Sequence, residues 1–144
     1  MLFIEANMPV LIDTNFLLAV SSPNDVNHYR ARTAMRSLRS GRVIVAPVLP
    51  ELFYMLITRT NYPTGVRVFN TLRSGAFQVE ALTDMDMARM STIMSEYADN
   101  TFDFVDTAIM SIAERLDIDT VYTFDRRDFA VFRPRHCAYL TLFP

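Results

Sequence analysis

Four acidic residues stand where a carboxylate is hard to explain as ordinary surface charge. Asp13 closes the apolar run Val10-Leu11-Ile12, and Asp125 closes Thr120-Val121-Tyr122-Thr123-Phe124. Glu51 falls in the first turn of an almost wholly apolar stretch, and Asp106 in the first turn of another. A carboxylate at the carboxyl end of a buried strand is poorly hydrated unless a positive group faces it. Several carboxylates in one small site cannot all ionise without a cation. Mg²⁺ or Mn²⁺ resolves that conflict, because such hard ions take oxygen ligands from a few carboxylates, waters and a substrate phosphate. A metal-bound water is the better nucleophile, and the metal stabilises charge on a phosphoryl oxygen. Acids grouped without a partner histidine therefore point to metal-assisted phosphodiester hydrolysis rather than zinc chemistry.

Each acid also has a local role open to it. Asp103 reads first as a helix cap, and Asp106 three residues later as an acid favoured by the helix dipole. Glu51, next to Pro50, has the same alternative. Asp125 and Asp128 together can shape a turn. Asp13 is the hardest to assign locally, since a structural acid there needs its own donors. Thr14, Asn15 and Thr123 are candidates to orient the acids, or to serve as local caps. Arg126 and Arg127 follow Asp125 directly, so they lie at the rim of such a site, either on phosphate or in a solvated turn. His28 and His136 read as surface or structural histidines.

The elements that must position these residues alternate along the chain. Val10–Ile12 reads as a strand buried on both faces. Residues 16–20 follow as a short helix or turn. A helix is predicted over 25–39, with Asn24 as its cap, Val26, Tyr29, Ala34 or Thr33 and Leu38 on one side, and Arg30, Arg32, Arg36 and Arg39 on the other. Ser40-Gly41 ends it. Strands follow at 43–46, 77–80, 120–124 and 138–142. Helices are expected from about Val48 to Thr60, after the Asn61-Tyr62-Pro63 break to about Ser74, and from Asp103 to about Leu116. Another starts at the Thr83…Asp86 capping box and places Met87, Met90, Met94 and Tyr97 on one face, for the core or a dimer interface. Arg126–Phe132 is a turn or short helix. Strands alternating with helices argue for an α/β sandwich over a mainly parallel sheet. Such sheets bind ligands outside the carboxyl ends of their strands, where strand order reverses.

At 144 residues the chain is expected to form one domain. Half the residues are hydrophobic and only three are glycine, which argues against disorder and against a glycine-rich phosphate cradle. Net charge is −2, every cationic side chain is arginine, and no lysine occurs. Outside the four acids the remainder is mildly basic, which suits a polyanion once metal neutralises the pocket. A single cysteine, Cys137, fits a reducing compartment. Met1–Glu5 lacks the pattern of a signal peptide, and no apolar run is long enough to span a membrane. The cytoplasm is the expected location.

Taken in order, Leu11-Ile12-Asp13-Thr14-Asn15, Glu51 behind Pro47-Val48-Leu49-Pro50, Phe104-Val105-Asp106-Thr107-Ala108 and Thr123-Phe124-Asp125-Arg126-Arg127-Asp128-Phe129 form an ordered set. That set resembles the PIN-domain ribonucleases, and most of all the VapC toxins of type II toxin–antitoxin modules. The resemblance covers essentially the whole chain, as a single PIN domain over 1–144. It implies a three-layer α/β/α sandwich whose central parallel sheet has about five strands in order 3-2-1-4-5. It implies a Mg²⁺- or Mn²⁺-dependent endoribonuclease acting on structured RNA such as transfer or ribosomal RNA to inhibit translation. It also implies a homodimer and a VapB-type antitoxin partner. By matching position Asp13, Glu51, Asp106 and Asp125 carry over as the acidic site. Asp13, Asp106 and Asp125 would hold the metal, and Glu51 would bind metal or position water. Asp103 and Asp128 are positions where the family varies.

Receiver and dehalogenase-like phosphotransfer domains also place aspartates after parallel strands. Both recruit a lysine, absent here, and the second wants an acid where this chain has Asn15. A housekeeping RNA-processing nuclease of the same fold, or an inactive RNA- or protein-binding module, remains an alternative.

Overall fold

The computed structural model describes residues 8–39 and 41–144. The expectation for Met1–Glu5 and the Ser40 part of the helix stop lie outside the described residues. Five short strands form one sheet in the order β3-β2-β1-β4-β5. They are β1 (Val10–Ile12), β2 (Arg42–Val45), β3 (Gln78–Glu80), β4 (Thr120–Tyr122) and β5 (Thr141–Phe143). All four pairings are parallel. Leu11 pairs with Val43 on one side and with Val121 on the other. From β1 the chain first builds outward to β2 and β3, then returns to build β4 and β5. The order therefore reverses between β1 and β4, and a crevice opens beyond their carboxyl ends. Leu11, Ile12, Ile44, Val45 and Val121 are wholly enclosed, because helices cover the sheet on both faces.

Helices α1 (Thr14–Ser21), α2 (His28–Ser37), α3 (Val48–Arg59) and α4 (Tyr62–Thr71) connect the first strands. α5 (Asp84–Glu96), α6 (Phe104–Leu116) and α7 (Arg126–Val131) follow β3 and β4. α1 packs on α2 and α3, α3 on α4, and α5 on α6. The all-apolar character of α3 is explained by this double covering. Val48, Leu52 and Leu56 face the sheet, while Phe53 and Ile57 meet α4. Gly65 makes that approach possible, since a Cβ there would lie 2.7 Å from Ile57 Cγ2.

Several boundaries differ from expectation for local reasons. α2 starts at His28 because Asp25 accepts from the Asn27 amide at 2.8 Å, so that residues 22–27 turn and Asn24 caps nothing. Val26 and Tyr29 are exposed, and the inward stripe is Ala31, Ala34, Met35 and Leu38. α2 stops at Ser37. Gly41 (φ 70°) instead starts β2, where a Cβ would press within 2.9 Å of Pro9. α1 is longer than expected, starting at Thr14 under the Asp13 cap. The Asn61 break is a helix start, with Asn61 accepting from the Thr64 amide at 2.9 Å. β4 ends at Tyr122; the Thr123 amide still donates to the Phe143 carbonyl at 2.7 Å, and the chain then turns to build the crevice. β5 lies further along than 138–142. On α5, Met90 is buried and Met94 and Met87 are exposed, so the methionines divide between core and surface.

One face joins α5 and α6 through arginines. Arg115 Nε donates to Asp86 Oδ1 at 2.9 Å and its Nη2 to Glu80 Oε2 at 3.2 Å. Arg89 grips both oxygens of Glu114, at 2.7 and 3.1 Å. The capping box is complete: Thr83 accepts from the Asp86 amide, and Asp86 from that of Thr83.

Candidate active site

Asp13 leaves the buried strand β1 and caps α1. Its Oδ1 accepts from the Thr14 amide at 2.7 Å, and its Oδ2 from Thr123 Oγ1 at 2.8 Å. Both carboxylate oxygens are thus fixed, one by its own helix and one by the segment after β4. Thr123 Oγ1 in turn accepts from the Asp125 amide at 3.0 Å and from Asn15 Nδ2 at 3.3 Å. Asn15 Oδ1 accepts from the Phe124 amide at 3.0 Å. Thr123 and Asn15 therefore stitch the ends of β1 and β4 together across the switch point. Thr14 is buried, and its hydroxyl has no partner among the described residues.

α6 brings the next acids. Asp103 caps it, accepting from the Asp106 amide at 2.8 Å, and its carbonyl accepts from Thr107 Oγ1 at 2.9 Å. This places Asp106, buried, at the helix start facing the crevice. Asp125 precedes α7 without capping it through its side chain, and Asp128 lies in the first turn of α7. Carboxylate oxygens of Asp106, Asp125 and Asp128 lie within 4.8 Å of one another. The charge of Asp13 acts on Asp106, and that of Glu51, in the first turn of α3, acts on Asp13. The arrangement thus brings Asp106 and Asp125 together with Asp128, while Asp13, Asp103 and Glu51 stand outside that trio. Asp128 stands in the tightest group, a placement that its turn-like sequence context alone left open.

The electrostatics of this group are unbalanced. Burial pushes the Asp13 carboxyl up to about 6, against its hydrogen bonds from Thr123 and Thr14, and the charges of Glu51 and Asp103 add to the rise. Asp106 is pushed up to about 8, first by burial, then by Asp13, Asp103, Asp125 and Asp128. Asp128 is raised by burial and by Asp125. Among the described residues the one arginine paired with a crevice acid is Arg127, whose Nε lies 3.9 Å from Asp128 and whose side chain is largely solvated. Arg126 lies at the rim but turns toward the end of β5, where its Nη2 donates to the carbonyls of Leu142 (3.2 Å) and Pro144. His28 and His136 are structural here, bonded to the carbonyls of Ala19 and Ile118. An all-oxygen donor set, short of positive charge and with an unpartnered hydroxyl beside it, fits a hard divalent cation.

A five-stranded parallel α/β sandwich with acids converging at its switch point defines a class of metal-assisted site. Comparison with known proteins gives the family: the PIN domain model matches residues 10–133, and the chain belongs to that family. It is 27% identical over 135 residues to Ribonuclease VapC26 of Mycobacterium tuberculosis, covering 94% of this chain and all of that protein. Among solved structures it is similar to M. tuberculosis VapC20, a sarcin–ricin-loop-cleaving toxin. The TM-score is 0.76 at 21% identity, covering 81% of this chain and 89% of the other. It is also similar to a toxin–antitoxin complex from Klebsiella pneumoniae, with a TM-score of 0.68 at 20% identity, covering 85% and 92%. The sheet order 3-2-1-4-5 and the flanking helices are those expected of the fold.

Proposed function

We propose that this protein is a Mg²⁺- or Mn²⁺-dependent endoribonuclease and the toxin half of a type II toxin–antitoxin pair. The observation that carries this reading is the crevice of acids without compensating cations, centred on Asp106, Asp125 and Asp128 and backed by Asp13. Asp13, Asp106 and Asp125 hold the metal, with Asp128 as a further ligand. When bound, the ion lowers the pKa of a water and neutralises charge on the phosphoryl oxygen. Asp13 is held rigid by Thr14 and Thr123, so it keeps its place without reorganisation. Glu51, in the first turn of α3, would bind metal or orient the attacking water. Asp103 positions Asp106 by capping α6. Arg127 offers a cation at the rim for a substrate phosphate. Hydrolysis leaves a 5′-phosphate and a 3′-hydroxyl.

The names of the relatives support the biological side of the proposal. A curated relative is named a ribonuclease, one structural neighbour cleaves the sarcin–ricin loop, and another is a toxin–antitoxin complex. By that likeness the substrate is a structured RNA, transfer or ribosomal, and a VapB-type antitoxin covers the acids. We further propose a single domain, a homodimer and a cytoplasmic site of action. Among the described residues no helix is long and apolar enough to cross a membrane. The test is cleavage of end-labelled transfer and ribosomal RNA by the purified protein with Mn²⁺ and with EDTA. Cleavage with Mn²⁺ that disappears in EDTA and in Asp13→Ala is expected; full activity in Asp13→Ala overturns the assignment. Growth arrest on expression, relieved by the product of a neighbouring gene, distinguishes the toxin from a housekeeping nuclease.

A further inference from the structure

The outer face of α2 is not explained by packing. It carries Arg30, Arg32 and Arg36, has no acid, and all three arginines are exposed. Among the described residues none of them forms an ion pair. Tyr29 beside them is 80% exposed, while Ala31, Ala34, Met35 and Leu38 supply the contacts to the core. Between α2 and the β4–β5 edge lies an open cleft of about 350 Å³, lined by Tyr29, Arg30, Ser37, Tyr122 and Phe143. The Phe143 ring is half exposed and stacks on Tyr122 at 5.6 Å.

Arg30 links this cleft to the segment that carries Asp125. The Arg30 guanidinium sits over the Phe124 ring, 5.5 Å from its centroid. Phe124 stands between Thr123, which holds Asp13, and Asp125. Arg126 approaches the same edge from α7, anchored on the Leu142 and Pro144 carbonyls. Aromatic faces flanked by guanidinium groups are the means by which proteins bind single-stranded nucleic acid, since every base has a π-face and every linkage a phosphate.

We propose that the α2/β5 cleft holds an unpaired nucleotide of the RNA substrate beside the scissile phosphate, its base stacked on Tyr29 and Phe143 and its flanking phosphates on Arg30 and Arg126. The proposal rests on the ribonuclease reading and adds to it a preference for loop or single-stranded RNA. A paired base has both faces covered by its neighbours and cannot enter.

The test uses a short fluorescein-labelled single-stranded RNA carrying one 2-aminopurine, and the same sequence in a blunt duplex. Binding is measured by anisotropy without metal on an Asp106→Asn background, which prevents cleavage. The single strand is expected to bind about tenfold tighter than the duplex, with 2-aminopurine quenched. Tyr29→Ala, a change at an exposed position, is expected to lose about tenfold in affinity together with the quenching, and Tyr29→Phe to retain both. Arg30→Ala is expected to lower the salt slope by about 0.7. Unchanged affinity and quenching in Tyr29→Ala overturns the proposal, as does equal binding of single strand and duplex. Absence of Mn²⁺-dependent cleavage in the wild type would end the ribonuclease reading alone, because the binding measurement does not depend on it.

Discussion

Asp86 and Asp13 are almost equally buried, 2% and 4% exposed, and both hold a helix N-terminus, yet their carboxyls are driven in opposite directions. Burial raises both. At Asp86 the hydrogen bond from Arg115 and those from Thr83 outweigh it, and the carboxyl falls below its ordinary range. Glu114 behaves likewise, lowered by Arg89 and the Arg135 amide against its burial. At the crevice no guanidinium among the described residues answers Asp13 or Asp106, and neighbouring acids add to the burial. The same residue types thus form a self-neutralised clamp between α5 and α6, and a charge deficit at the switch point. Acids with internal partners serve the fold. Acids without them are, on the proposed function, the ones free to take a cation from outside.

The largest break in this contrast is expected from Asp106→Asn. It removes one carboxylate from the group and should reduce Mn²⁺-dependent RNA cleavage by at least about 100-fold, measured on end-labelled RNA. It should also raise the thermal midpoint of the metal-free protein at neutral pH, because folding no longer has to protonate a carboxyl that is ionised in the unfolded chain. A structural acid would do the reverse.

The pH dependence of the metal-free protein follows from the same contrast. Asp13 and Asp106 keep their protons in the folded state to about 6 and about 8, whereas in the unfolded chain both ionise near the ordinary value of 3.8. The folded state therefore binds more protons than the unfolded one between these limits, and stability falls as pH rises from about 4 to about 8. Asp86 and Glu114 have the opposite sign: their contribution is present above the ordinary carboxylate range and is lost as pH falls through their lowered values. Thermal melts with a chelator should show greatest stability in mild acid and a decline toward pH 8. Adding Mn²⁺ should flatten that decline. A metal-free protein most stable at pH 8 would contradict the charge deficit.

Breaking the other region should cost stability and leave chemistry alone. Asp86→Ala removes half of the capping box and leaves Arg115 with one acid fewer. A loss of about 3 kcal/mol is expected in urea titration. Cleavage per folded molecule should be unchanged.

The crevice acids were legible in sequence where a buried strand stops at a carboxylate, as at Asp13 and Asp125. They were less legible where local and site roles share one pattern. Asp128 reads as a turn acid because a turn and a ligand position look alike over four residues, and only the closing of α7 onto α6 separates them. Strand order came from likeness to a family rather than from periodicity, since three-residue strands carry no register information. The inward face of α2 is hard to read from sequence because half of its stripe is alanine, while the large residues Val26 and Tyr29 face outward. In sequence Arg126 fits a phosphate ligand or a solvated residue. Its bonds to the Leu142 and Pro144 carbonyls depend on β5, which local spacing does not place.

The smallest effect is expected at the hydroxyl that links the two switch-point strands. Thr123 is wholly buried, donates to Asp13 and accepts from the Asp125 amide. Thr123→Val keeps shape and volume but removes both bonds. Asp13 then loses the group that orients one of its oxygens, and Asp125 loses the anchor on its backbone. Loss of such an orienting partner weakens metal sites by 10–100-fold, and about tenfold is expected here because Thr14 still holds the other oxygen of Asp13. Calorimetric titration with Mn²⁺ measures it, and Thr123→Ser should restore binding. Cleavage at saturating Mn²⁺ should fall much less than the affinity, since no crevice carboxylate has been removed. Equal loss in both would place Thr123 among the groups that touch the reacting atoms, rather than among those that position them.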